Sequence, residues 1–440
     1  MTHDPTERPV NPEKEAVAGG EGGDTAANGR GFRQRLREVV QAWNRFWFTP
    51  ADPTPLGLIR ICTGLLVLYI HWAYGTDLYE LMGPEAWLDL PTMNLFRTEF
   101  PYMKQPSSWE EEPLPEPTDP AERKELEEFR ARWNRDKRQA IALGQTAWSI
   151  WFHVTDPGWM LAVHRAFLGI MVLYTLGVAT RITSVLTWLA ALSYINRGQT
   201  SLFGVDTMMN IALIYTMIGP SGAALSVDRL IGRWWQTYRA LRRHEPPPVL
   251  RPQPLVSANF AIRLMQVHFC IIYFAAGISK LLGNSWWTGT ALWWTLANYE
   301  FAPLRYPFYE EALRWLCRHR WLWEITMTGG VLYTLVLEIG FPFLVWTRLR
   351  GLMVAAAVLF HTGIAVLMGL KMFGIAMLVL LMSFASPQTV RQFVRTLGRA
   401  VPVREWEYSA TDRRQLLLAS LVHACDVSER IRLRERSARP

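Results

Sequence analysis

The run from Ala258 to Leu282, ANFAIRLMQVHFCIIYFAAGISKLL, constrains the fold of this chain more than any other stretch. It is long enough to cross a bilayer as a helix, yet it contains Arg263, Gln266, His268 and Lys280. Arg263, Gln266, Cys270, Tyr273, Gly277 and Lys280 follow one another at steps of three and four, so a helix gathers them into one stripe. Its two cations then lie roughly 25 Å apart along the axis. Ionisable groups inside a membrane are costly and usually face the bundle interior or water, which makes this stripe the first functional candidate. The alternative is that both cations snorkel to the headgroups from the ends of the span.

Mean hydropathy is only +0.05, a value typical of soluble proteins. That average hides polar tails and a charged loop set around strongly apolar runs. Several runs approach the twenty or so residues needed to span, and the 21 Trp suit membrane interfaces. The pattern predicts an all-α, polytopic membrane helical bundle of about eight transmembrane helices. The net charge of +8 is carried by short loops beside spans, which indicates membrane orientation and not nucleic acid. Cys62, Cys270, Cys317 and Cys425 have neither metal nor disulfide-framework spacing.

In order, residues 1–30 read as a disordered tail. Residues 31–53, with Arg33, Arg35, Arg37, Trp43, Phe46 and Trp47, read as a basic interfacial helix. Spans are expected at about 55–74, 159–178, 182–195, 205–218, 258–282, 322–345, 352–368 and 372–384. Residues 76–157 form an acidic, Pro-rich insertion with a charged helix at about 121–142. Residues 284–300, rich in Trp, are too short to span and read as an interfacial or re-entrant segment. Residues 387–440 form a polar, basic tail. The first thirty residues lack the apolar core of a signal peptide, so the first span is expected to direct insertion.

With both termini cytoplasmic, eight spans leave the basic segments inside and the acidic insertion outside. The patch Arg305 to Arg320 is the main exception. No inverted internal repeat of the kind found in many transporters is visible. In this topology the fifth and sixth spans run antiparallel. Lys280 and Glu324 then share one level, and Arg263 and Glu338 share a deeper one. Two ion pairs bracketing a pocket, joined by His361 and Arg60, are expected, because an uncompensated charge there is expensive. Gly277 and Gly330 would let the two backbones approach.

The segments PLGLIRICTGLLVLYIHW, LYELMGPEAWL, YFAAGISKLLGNSWWTGTAL and FHTGIAVLMGLKMFGIAML resemble the HTTM domain, the "horizontally transferred transmembrane" relatives of vitamin K-dependent gamma-carboxylase. The resemblance covers roughly Thr54 to Pro387, and AGISKL followed by Trp-Trp is its most specific piece. It implies a cell (plasma) membrane protein, multi-pass and of bacterial inner-membrane type. It also implies a reduced quinone such as vitamin K as cofactor, with Lys280 as the base that deprotonates it. Desolvation in a membrane pocket suits that role, whereas a carboxylate beside the amine opposes it.

Two departures argue against peptidyl-glutamate carboxylation. By resemblance, Gln199 stands where the carboxylase has a functional histidine, and Gln cannot carry a proton between neutral and charged forms. The large C-terminal part that holds the carboxylase's protein substrate is replaced by residues 387–440. Fold likeness does not transfer function. The sequence therefore supports three readings: a quinone- or lipid-dependent membrane enzyme with carboxylase-like, lyase- or ligase-type chemistry, a transporter using the Arg263–Lys280 stripe, or a noncatalytic scaffold. Its expected partners are membrane lipids and a small-molecule or quinone ligand.

Overall fold

In the computed structural model, residues 23–96, 119–120, 122–131, 148–245, 252–298, 302–303 and 306–400 are described. The tail before residue 23, most of the acidic insertion and everything after residue 400 lie outside these, as do the expectations that fall on them. Residues 122–131, within the expected charged helix, are helical.

Helix α1, Gly23–Phe48, forms a unit by itself. Within it Trp43 and Phe46 both pack edge-on against Trp47. The second unit, residues 50–440, holds every other element. Its helices are α2 (Thr54–Tyr74), α3 (Pro157–Leu176), α4 (Thr180–Arg197), α5 (Gly204–Ile218), α6 (Val227–Arg242) and α7 (Val256–Leu281). They continue with α8 (Pro307–Arg318), α9 (Arg320–Leu344), α10 (Arg350–Leu367), α11 (Lys371–Leu381) and α12 (Pro387–Ala400).

Five of these are long and apolar enough to cross a membrane: α2, α3, α7, α9 and α10. The expected third, fourth and eighth spans are helical too, as α4, α5 and α11. Of these, α5 and α11 (with the turn Met382–Phe384 that continues it) are shorter apolar helices. The molecule is an all-α, membrane-embedded bundle.

Local chemistry explains several boundaries. Asp156 caps α3 by accepting from the Trp159 amide at 3.0 Å, Pro157 occupies its first turn, and Gly177 ends it at φ 74°. An acceptor before the helix, an early Pro and a left-handed Gly are the standard start and stop signals. Asp228, at the start of α6, reaches back to the α3–α4 turn. Its carboxylate accepts from the Ala179 amide (2.8 Å), the Thr180 amide (2.8 Å) and the Thr180 hydroxyl (2.7 Å).

Between apolar helices in lipid there is little hydrophobic driving force, so close packing and hydrogen bonds decide the arrangement. One core joins α2, α5, α7, α9, α10 and α11 around Ile59, Met265, Phe269, Phe341 and Leu380. A second joins α2, α3, α4 and α5 around Val67, Met171, Tyr174 and Leu213. The helix α5 thus belongs to both. It is also tied to α7 by Tyr215, whose hydroxyl lies 2.8 Å from His268 Nδ1.

Candidate functional site

The stripe on α7 does face inward. Gln266, Cys270, Tyr273 and Gly277 are buried, and Arg263 and Lys280 at its two ends are half-buried. Each end has different partners.

At one end Lys280 Nζ lies 2.9 Å from Glu338 Oε1 and 2.8 Å from Oε2. The Glu338 side chain is 6 % exposed and that of Lys280 24 %. The ammonium also sits 5.5 Å from the centre of the Trp286 ring. Among the described residues this is the ion pair that joins two of the long apolar helices. The carboxylate stands four residues before a proline of α9. Pro342 lies inside that helix, and a proline has no N–H to bond the carbonyl four residues earlier, here that of Glu338. A backbone carbonyl freed in this way at membrane depth is tolerated where protein or water covers it.

The expected pairing is therefore corrected. Lys280 meets Glu338, not Glu324, a displacement of fourteen residues or about 21 Å along α9. Glu324 is exposed and bonds Arg320 one turn away at 2.8 Å. The cause is packing register. A Cβ on Gly277 would lie 2.7 Å from Ile339 Cγ1 and 3.3 Å from Glu338 Cβ, so Gly277 receives this part of α9. Gly330 does not face Gly277; it receives the side chain of Leu292 from the short helix Ala291–Leu296.

The segment after Lys280 consists of two short helices, Asn284–Trp287 and Ala291–Leu296. Trp287 Nε1 donates to the Leu281 carbonyl at 2.7 Å, closing the segment back onto the end of α7. Trp293 packs on Trp323 of α9.

One turn inward of Gly277, Tyr273 is buried with its hydroxyl 2.6 Å from His361 Nε2 on α10. The Nδ1 of His361 has no hydrogen-bond partner. Rings surround the pair: Phe341 lies 4.9 Å from Tyr273, and Phe360 5.2 Å and Phe373 6.3 Å from His361. Tyr273, Lys280, Glu338 and His361 thus lie along one contact of α7, α9 and α10.

Three other candidates lie elsewhere. Arg263, at the far end of the stripe, donates to Gln266 Oε1 at 3.0 Å and stacks over Trp346 at 5.7 Å. Gln199 is exposed on the turn Gln199–Ser201. Arg60 is fully buried but donates to the carbonyls of Ser221 (3.0 Å), Thr175 (3.5 Å) and Leu225 (2.5 Å). A cation suits the carbonyl-rich C-terminal end of a helix, and Thr175 is in the last turn of α3. Arg60 is a staple for the α3 end and the loop before α6, not a member of the Lys280 group.

Sequence reasoning missed a second staple and a polar cluster. Arg197 is also fully buried and donates to the carbonyls of Leu88 (2.8 Å) and Gly83 (2.5 Å). Its position, an arginine ending an apolar helix before glycine, is a usable signal for carbonyl binding. His71 and His164 are buried around Tyr194. His164 Nδ1 lies 2.7 Å from the Tyr194 hydroxyl, and the His71 ring packs 4.6 Å from the Tyr194 ring. No group of three metal-ligating side chains occurs among the described residues.

Residues 253–388 match the HTTM domain. The HTTM match begins just before α7 and ends at the start of α12, so it contains Lys280, Glu338, Tyr273 and His361. The helices α2 to α6, with Arg60 and Arg197, lie outside it. The relation of HTTM domains to gamma-carboxylase fits the resemblance carried by AGISKL. No curated protein and no solved structure matches the chain.

Proposed function

We propose that this chain is a multi-pass enzyme of the cell membrane, with both termini cytoplasmic, whose chemical centre is the Lys280–Glu338 pair. Its ligand is an amphipathic small molecule of quinol type, bound against Lys280 and the aromatic groups around Tyr273 and His361. The reading rests on one observation: a nearly buried carboxylate holds a half-buried lysine between two apolar helices, inside the HTTM segment. Intramembrane ion pairs are rare, and they tend to mark functional positions.

The arrangement sets a condition on the chemistry. A base needs a free amine, and here the amine of Lys280 is engaged by the Glu338 carboxylate. Lys280 accepts a proton from a ligand only after the pair opens or gives up its own proton. A ligand hydroxyl that takes over the bonds to Glu338 would do this, so Glu338 is a positioning residue for Lys280. Trp286, over the ammonium, covers the same group.

The test is thermal stabilisation of purified wild type, Lys280→Ala and Glu338→Gln by a panel of reduced quinones. Stabilisation of wild type, lost in Lys280→Ala while that variant stays folded, supports the reading. A folded Lys280→Ala with an unchanged ligand response removes Lys280 from the site. No response in any of the three, with all of them folded, favours a noncatalytic scaffold.

A further inference from the structure

The site proposed above lies on α7, α9 and α10 and leaves helix α1 without a role. On α1 the residues Leu36, Val39, Val40 and Trp43 fall on one stripe, because steps of three and four residues are close to one turn. All four are exposed, Val39 by 64 % and Trp43 by 62 %. Single exposed apolar side chains need no explanation, but a continuous stripe marks a contact surface. Charge is ordered around it. Arg35 and Arg37 stand about 100° to either side of Leu36, at the two margins of the stripe. Glu38, which accepts from Gln34 at 3.3 Å, and Arg45 stand on the opposite side.

The chain that follows α1 specifies what covers the stripe. Ala51 and Leu255 exchange two backbone hydrogen bonds, at 3.1 and 2.8 Å, just ahead of the first residues of α2 and α7. Both helices are long and apolar enough to span, so their paired starts mark one edge of the bilayer. Residues 49–53 separate α1 from α2, and at full extension they reach at most about 18 Å. The C-terminal end of α1 is thus held to that edge, whatever the direction of the helix. Trp43, toward that end, suits the headgroup level. The arginines complete the match. With the stripe immersed, their stems follow the apolar face and their guanidiniums reach the phosphates. A helix of this pattern prefers a surface of anionic lipid.

We propose that α1 is a docking surface for anionic phospholipid and lies flat on the membrane face from which α2 and α7 enter. Leu36, Val39, Val40 and Trp43 are immersed below the headgroups, Arg35 and Arg37 engage lipid phosphates, and Glu38 and Arg45 face water. The surface is separate from the Lys280 site, and it stands whether or not Lys280 is catalytic.

The experiment places the full chain in nanodiscs of phosphatidylglycerol or of phosphatidylcholine and reads hydrogen–deuterium exchange by mass spectrometry. Residues 34–45 are expected to exchange several-fold more slowly in phosphatidylglycerol. Arg35→Gln/Arg37→Gln is expected to abolish that difference, Val39→Ser/Trp43→Ser to remove the protection in both lipids, and Glu38→Gln/Arg45→Gln to keep the difference. Because α1 is a unit by itself, exchange within α7 should be the same in every variant and serves as the check of folding. Equal exchange of wild type in the two lipids overturns the proposal, and so does a preference that survives Arg35→Gln/Arg37→Gln. Protection found only in discs that hold two chains also overturns it, because a second copy would then cover the stripe. If a variant fails the folding check, wild type decides. A photoactivatable phosphatidylglycerol must cross-link within residues 34–45, and labelling that spares them rejects the surface.

Discussion

Lys280 Nζ stands within 3 Å of both carboxylate oxygens of Glu338, at 2.9 and 2.8 Å, with the acid the more deeply buried partner. That asymmetry predicts unequal losses. Lys280→Met strands a buried carboxylate, whereas Glu338→Gln leaves a lysine that can still reach polar surroundings. Breaking a buried pair from one side costs about 3–5 kcal/mol, and replacing both members with apolar groups often costs little. Lys280→Met is therefore expected to lower the melting temperature more than Glu338→Gln, and Lys280→Met/Glu338→Leu to recover most of the loss. Equal losses in both single variants would contradict the burial argument.

Gly277 sets the register that brings the pair together. A larger residue there must displace Ile339, and overpacking costs about 1–3 kcal/mol. Gly277→Val should destabilise the fold and also weaken any ligand response at Lys280. Gly169→Ala, where an added Cβ meets nothing within 4 Å, should leave both unchanged. Thermal unfolding of the two variants side by side makes the comparison.

The Tyr273 hydroxyl holds His361 Nε2, and His361 Nδ1 has no hydrogen-bond partner. Tyr273→Phe leaves that ring nitrogen buried and unsatisfied, at a cost of about 1–3 kcal/mol. The variant should be less stable than wild type, and adding His361→Phe should restore part of the loss. A double-mutant cycle with no coupling between positions 273 and 361 would count against the bond.

Asp228 supplies a pH dependence outside the spanning helices. Partial burial pushes its carboxyl up, but the bonds from Thr180 and Ala179 and the charge of Arg60 outweigh that and hold it below its ordinary value. A depressed carboxyl contributes stability that is fully present above its unfolded pKa, about 3.9. That contribution is lost as pH falls through the lower folded value. Asp228→Asn should melt earlier than wild type at neutral pH, and the gap should close toward pH 3. A gap that stays constant down to pH 3 would show that the charge is irrelevant.

Arg60→Met removes a charged donor from the three backbone carbonyls of Thr175, Ser221 and Leu225. Bonds to charged groups contribute about 1.5–3 kcal/mol each, so the variant should be strongly destabilised or fail to accumulate. Arg60→Lys, which keeps the charge but not the fork, should rescue only part. A thermal shift of wild type by a Lys280 ligand that survives in Arg60→Lys would place Arg60 outside that site.

Much of the bundle was legible in the sequence. The apolar runs matched helices because length and hydropathy are local properties. The inward-facing stripe on α7 followed from its spacing of three and four, since that period alone puts Gln266, Cys270, Tyr273 and Gly277 on one buried face. Less was legible about which stripes meet. Levels inferred from helix ends paired Lys280 with Glu324, but helix ends do not fix the stagger of two antiparallel helices.

The sequence by itself determined that this is an all-α membrane protein and that α7 carries a polar line between two cations, and residues 253–388 match the HTTM domain. Only the tertiary structure decided the partners. It placed Glu338 at Lys280, His361 at Tyr273, and backbone carbonyls at Arg60 and Arg197. The physical reason is that the face a residue occupies depends on its own helix. Its partner depends on where two surfaces fit, as at Gly277 against Ile339 and Gly330 against Leu292.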